Sequence, residues 1–157
     1  MSTYHSIARF FVELSDSTVD DEFESSDLTH LKLQKLLYYA QGWALVKLGK
    51  PLFSNPIFHW EHGPVVKDAY HQLKNFRSSV ITLESFDTTI GVQPKVKALK
   101  IKEKELLTQV YNTYGIYNAW GLREMTHVED PWKNTSDGQE ITTEALKTYF
   151  KKVDNEE

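Results

Sequence analysis

No cysteine occurs among the 157 residues. That excludes a disulfide scaffold, a cysteine zinc site and a thiol nucleophile. Basic residues do not predominate, since 18 Lys and Arg face 22 Asp and Glu for a formal charge of -4. Non-specific nucleic-acid binding thereby loses its main driving force, because neutralising phosphates needs clustered cations. No apolar run approaches the roughly 18 residues that a membrane span requires. The opening MSTYHSIARFF has no basic segment followed by an apolar one, so no secretory signal is read there. Together these absences lead us to expect a soluble, cytoplasmic protein with no nucleic-acid and no membrane partner. G-x-S-x-G, Walker A and G-x-G-x-x-G motifs are missing as well, and with them the usual hydrolase and nucleotide signatures. Carboxylates fall mainly in loops and no spacing singles out a Ser/His/Asp triad, so no catalytic residue is named.

Hydrophobic residues make up 40% and aromatics 13%, enough to bury a core at this length, and one domain over residues 1–157 is expected. Residues 3–14 place Ile7, Phe10, Phe11 and Leu14 on one helical face. Residues 15–27 carry Asp16, Asp20, Asp21, Glu22, Glu24 and Asp27 without a Lys or Arg, and read as a solvated loop or an acidic docking patch. Residues 28–48 give the strongest helix signal. Asp27 or Thr29 caps the start, and Gly49 and Pro51 stop the end. Leu33, Leu36, Leu37, Ala40, Ala44 and Leu48 form the main apolar face, flanked by Leu31, Tyr38, Leu45, Tyr39 and Trp43. A helix apolar nearly all round is central and buried.

The stretch HWEHGPVV (59–66) poses the sharpest chemical question. His59 and His62 have the look of half a metal site, with Glu61, His71 and His127 as further candidate ligands. A strand over 57–61 puts residues three apart on opposite faces, and zinc needs at least three protein ligands. The spacing therefore favours no metal and no cofactor, with His62 a hydrogen-bonded, partly buried residue steadying the turn. Gly63-Pro64 reads as a strand-to-helix junction, since proline is tolerated in a first helical turn. Residues 66–76 follow as a helix with Val66, Ala69, Tyr70 and Leu73 on one side.

VITL and TTIGVQ within 77–95 suggest a small antiparallel hairpin. Lys95, Lys97, Lys100, Lys102 and Lys104 then read as a solvated edge and a first helical turn, with phosphate contacts the sharper alternative. Helices are expected at 103–114, at 118–127 capped by Asn118, and at 142–152 capped by Thr142 or Thr143. A turn opens at Asp130-Pro131-Trp132, and the tail VDNEE is expected to fray. His127 reads as a helix-end histidine on the last carbonyls. Tyr111, Tyr114, Tyr117 and Trp120 recur three apart across Gly115, so they cannot share one helix face. Some must lie near the surface, where Tyr and Trp suit protein interfaces. The fold expected is mainly α (α+β): a compact helical domain around a buried central helix, with a small antiparallel β element.

LTHLKLQKLLYYAQGWAL, then GKPLF, the tryptophan–HGPVV junction, a tyrosine-bearing helix and THVEDPW together resemble the Panacea domain of SocA-like antitoxins and phage-associated GepA-like proteins. The resemblance covers about residues 5 to 150. Its pattern maps onto Lys32, Leu33, Gln34, Lys35, Leu36, Tyr39, Trp60, His62, Gly63, Pro64, Val65, Tyr70, His127 and Trp132, most of which we read as structural. It implies a non-enzymatic antitoxin of a toxin–antitoxin system in a bacterial prophage or other mobile element, whose partner is a cognate toxin encoded nearby. It also implies an alternative, an adaptor delivering the toxin to a ClpXP-type protease. Apart from the resemblance, His59, His62, His71 and His127 leave an alternative of a different class, a His-dependent metal protein or enzyme. Some relatives carry an extra N-terminal helix-turn-helix, for which this chain is expected to have no room.

Overall fold

The computed structural model describes residues 3–17, 27–91 and 98–156. The acidic stretch 20–24 and Lys95 and Lys97 lie outside them. The fold is mainly α with one small antiparallel sheet. Helix α2 (His30–Lys47) is its axis, and α1 (Tyr4–Ser17), α5 (Ile101–Tyr114), α6 (Ala119–His127) and α8 (Thr143–Glu156) all pack on it. The Thr29 hydroxyl caps α2 by accepting from the Lys32 amide, satisfying a donor the first turn leaves free. Every residue from Lys32 to Leu45 is buried, as expected of a helix apolar on all sides. Leu31 is the exception in the apolar set, 39% exposed.

Aromatic rings fill the space between α2, α5 and α8. Tyr39 stacks on Tyr114 with centroids 3.7 Å apart, and the Tyr114 hydroxyl accepts from the Trp43 indole at 2.9 Å. Phe150 meets Tyr38, Tyr39 and Trp43 edge to face. Such tilted pairs align ring edges with ring faces and add stabilisation beyond burial.

Four sequence expectations are corrected. Among the described residues the 77–95 hairpin is absent: residues 83–90 form α4 (Leu83–Ile90), and 92–95 lie outside the described residues. Thr82 and Ser85 make a reciprocal capping box, and Phe86 turns into the core. Gly63-Pro64 does not launch a helix. It begins β2 (Gly63–Val66), which pairs antiparallel with β1 (Ile57–Trp60), and α3 (Lys67–Leu73) follows directly. Pro64 is tolerated because β2 is an edge strand, the sheet order being β2-β1-β3 with β3 at Glu140–Ile141. Asp130-Pro131-Trp132 opens a short helix, α7 (Asp130–Lys133), with proline in its first turn. The tail stays helical to Glu156 because Asp154 pairs with Lys47 at 2.7 Å and Val153 packs against the core. Among the smaller adjustments, α1 runs on to Ser17 and buries Ser15.

Candidate functional site

The hairpin β1–β2 is short, yet α2 and the α6–α7 segment both grip it. Gln34 does so from α2. Its amide nitrogen donates to the Val66 carbonyl at 3.2 Å, and its oxygen accepts from the Val66 amide at 2.8 Å. The side chain thus satisfies both backbone groups where β2 passes into α3, as buried backbone requires. From the other side, the Trp132 indole donates to the Trp60 carbonyl at 2.9 Å. His59, 6% exposed, stacks on the Trp132 ring at 3.8 Å and donates from Nδ1 to the Trp132 carbonyl at 2.7 Å. His127 leans on the same ring at 3.9 Å. Its nitrogens face the Arg123 carbonyl at 2.6 Å and the Glu61 carbonyl at 2.9 Å. HWEHGPVV and THVEDPW are therefore two halves of one junction.

Gly63 lies where these elements converge, with φ at +114°. A Cβ there would come within 2.7 Å of Lys35 Cε and 2.9 Å of Thr126 Oγ1. Glycine is required twice over, for the backbone angle and for the close approach.

Above the junction is an open cleft of about 770 Å³, lined among others by His30, Leu31, Trp60, His62, Tyr70 and Arg123. His59, Glu61, His62 and His127 all reach it, whereas His71 stays outside on α3. Among the described residues, no three His, Asp or Glu side chains are grouped to hold a metal ion. The ring nitrogens of His127 and Nδ1 of His59 are engaged with carbonyls, and His59 Nε2 faces Asp137 at 3.1 Å. His62 is exposed rather than partly buried, and its ring accepts from Arg123 Nε at 3.4 Å.

The two lysines of KLQK differ although both are buried. Lys32 donates to Asp27 and to the Gly115 carbonyl, each at 2.6 Å, tying the start of α2 to the end of α5. Lys35 is 1% exposed and has no hydrogen-bond or ion-pair partner among the described residues. Burial and the neighbouring Arg123 push its amine down to about 8. Burial, and after it the Lys35 charge, hold His30 below its ordinary value.

The four aromatics of 111–120 divide. Tyr111 and Tyr114 are half-buried and pack against the core. Tyr117 and Trp120 are exposed, at 41% and 64%, with Ile116 beside them at 76%. Trp120 and Leu31 flank a smaller pocket that opens next to the cleft. Arg123 lies 4.6 Å over the Trp120 ring. Arg123, His30 and Glu129 were not singled out by sequence and Leu31 was read only as part of the apolar face of the central helix, since nothing local distinguishes them until the chain folds.

A family model described as antitoxin SocA-like, Panacea domain, matches residues 33–133, more than half of the chain. The match begins within α2, just after Lys32, and ends at α7, so it contains the whole hairpin junction. Neither a curated protein nor a solved structure matches the chain.

Proposed function

The chain belongs to the SocA-like antitoxin family, Panacea domain, and from that premise we propose that it neutralises a protein toxin by direct, non-enzymatic binding. The family match supports an antitoxin-like role in general. The observation that carries the finer reading is the exposure of Ile116, Tyr117 and Trp120 between the end of α5 and the first turn of α6, with the exposed Leu31 of α2 sharing a pocket with Trp120. Large exposed apolar side chains that lie close together mark an interaction surface rather than scattered surface residues. Tyr and Trp bury much area with few rotatable bonds, which suits them as anchors of a stable interface. Two of the cleft histidines, His59 and His127, support binding over catalysis, because His59 Nδ1 and both His127 nitrogens are engaged with backbone carbonyls of the junction.

The test is co-expression with the toxin encoded beside this gene, read by growth and by recovery of a complex. Restored growth with a stoichiometric complex is expected. Restored growth with the toxin depleted replaces direct inhibition by delivery to a ClpXP-type protease. Persistent toxicity without a complex overturns the antitoxin reading of this chain. Replacing both Tyr117 and Trp120 by Ala is expected to weaken the complex by a factor of about 30 or more, as for truncated interface anchors.

A further inference from the structure

Beside the main cleft, a pocket of about 260 Å³ is lined by Leu31, Lys35, His62, Ala119, Trp120 and Arg123. Three of these six side chains are basic and none is acidic. Lys35 lines it, a residue 1% exposed whose side chain has no hydrogen-bond or ion-pair partner among the described residues. The nearest charges make this costlier. Arg123 repels the amine, and His30 lies close enough to feel the Lys35 charge. Arg123 has one carboxylate neighbour, Glu124, at 3.1 Å and 60% exposed to water. Of the other acids near the cleft, Glu61 is exposed in the hairpin turn and Asp137 faces His59.

Burying a cation beside other cations with no counter-ion is unfavourable unless an anion arrives. Lys32, one turn earlier, shows the ordinary solution in this same helix, an aspartate and a carbonyl. The walls of the pocket are apolar, and its volume lies below the roughly 300–1,000 Å³ of small-molecule sites. A single side chain fits it. The exposed Leu31 and Trp120 of its lining, with Tyr117 exposed three residues before Trp120, supply the area that a larger partner would cover.

We propose that this pocket receives an aspartate or glutamate side chain of the protein partner, whose carboxylate pairs with Lys35 and Arg123 between the walls of Leu31, Ala119 and Trp120. The inference rests on the proposed function for its source of carboxylate, though not for the pocket itself. In a chain of net charge -4, the pocket is a local inversion of sign, which gives a partner both register and orientation.

The test uses the full chain and the Lys35→Met variant. N-acetylglutamate methylamide is titrated against each, with its glutamine counterpart and inorganic phosphate as comparisons. NMR follows the Trp120 indole and the Lys35 side chain. The glutamate probe is expected to shift both signals in the wild type, the glutamine probe neither, and Lys35→Met is expected to abolish the response at Trp120. The variant should fold with a melting temperature equal to or above that of the wild type, since it removes an unpaired buried charge. A lysine with only a structural role would lose stability instead. With the toxin encoded beside this gene, Lys35→Met is expected to weaken the complex by a factor of about 30 or more. No response to the glutamate probe, or an equal response in Lys35→Met, overturns the site. Phosphate binding without carboxylate binding overturns the assigned ligand. Self-association that Lys35→Met abolishes replaces the foreign partner by a second copy of the chain. Full rescue from the toxin by Lys35→Met overturns this inference and leaves the antitoxin function standing. A positive titration without rescue by the wild type does the reverse.

Discussion

Burial pushes the Lys35 amine down to about 8, whereas the unfolded chain keeps that proton to about 10.5. The sign of the pH dependence follows. Between these values the unfolded state binds a proton that the native state has lost, so stability rises with pH. Below pH 8 the cost of the buried charge is fully present, on the order of 3 kcal/mol at most. Above pH 10 the trend is opposed by Tyr38, Tyr39 and Tyr149, which burial and Glu129 hold protonated. Comparison with Lys35→Met isolates the lysine. Denaturant titrations are expected to show the variant ahead of the wild type at pH 7, with the gap closing toward pH 10. A gap that stays constant across this range would mean that Lys35 reaches solvent or an anion in the free protein. None of this is visible in KLQK, where Lys32 and Lys35 look alike. What separates them is the Gly115 carbonyl, which Lys32 reaches, and Arg123, which Lys35 faces, both brought from far along the chain.

At the scale of elements, α2 is held by its neighbours more than by its own propensity. Gly42 lies mid-helix, where glycine costs about 1 kcal/mol relative to alanine. An added Cβ would nevertheless run directly into the Phe150 ring of α8. Gly42→Ala is therefore expected to destabilise the protein by about 1–3 kcal/mol, the overpacking cost outweighing the helical gain. Thermal or denaturant unfolding checks it, and a stabilised variant would show that α8 can move away. The hairpin misplaced by sequence reasoning has the same origin. VITL and TTIGVQ are rich in β-branched residues, but β propensity is mostly a statement about packing on a pleated surface. Here the Thr82–Ser85 capping box and the Leu83, Phe86, Ile90 spacing prevail, because Phe86 finds a place in the core. Gly63-Pro64 was misjudged because proline's tolerance on an edge strand depends on which strand lies at the edge, and pairing settles that.

Across the whole molecule, Glu129 collects the aromatic cluster. Its carboxylate accepts from Tyr38 at 3.0 Å and Tyr39 at 2.9 Å, and the Tyr149 hydroxyl supports it from α8. Burial raises it to about 7 against the pull of those hydrogen bonds. The folded state therefore keeps a proton that the unfolded chain releases near 4.5. The associated stability is present in full below pH 4.5 and is lost as pH rises through 7, on the order of 3 kcal/mol at most. Glu129→Gln is expected to flatten that part of the stability profile. An unchanged slope between pH 4.5 and 7 would assign it to another group.

The sequence alone determined the buried axis, because its signals are local: a Thr29 cap, a Gly49 stop and apolar residues on every face within one run. It determined the helices α5, α6 and α8 for the same reason, and the motifs HWEHGPVV and THVEDPW by their composition. Only the tertiary structure decided that these two motifs form one stacked junction, that β2 rather than a helix follows the turn, and that Tyr114 packs against the core while Trp120 faces water. It also decided which of two neighbouring lysines finds a counter-charge. Those outcomes depend on contacts between residues distant in the chain, and a side chain's partners are set only when the elements carrying them have packed.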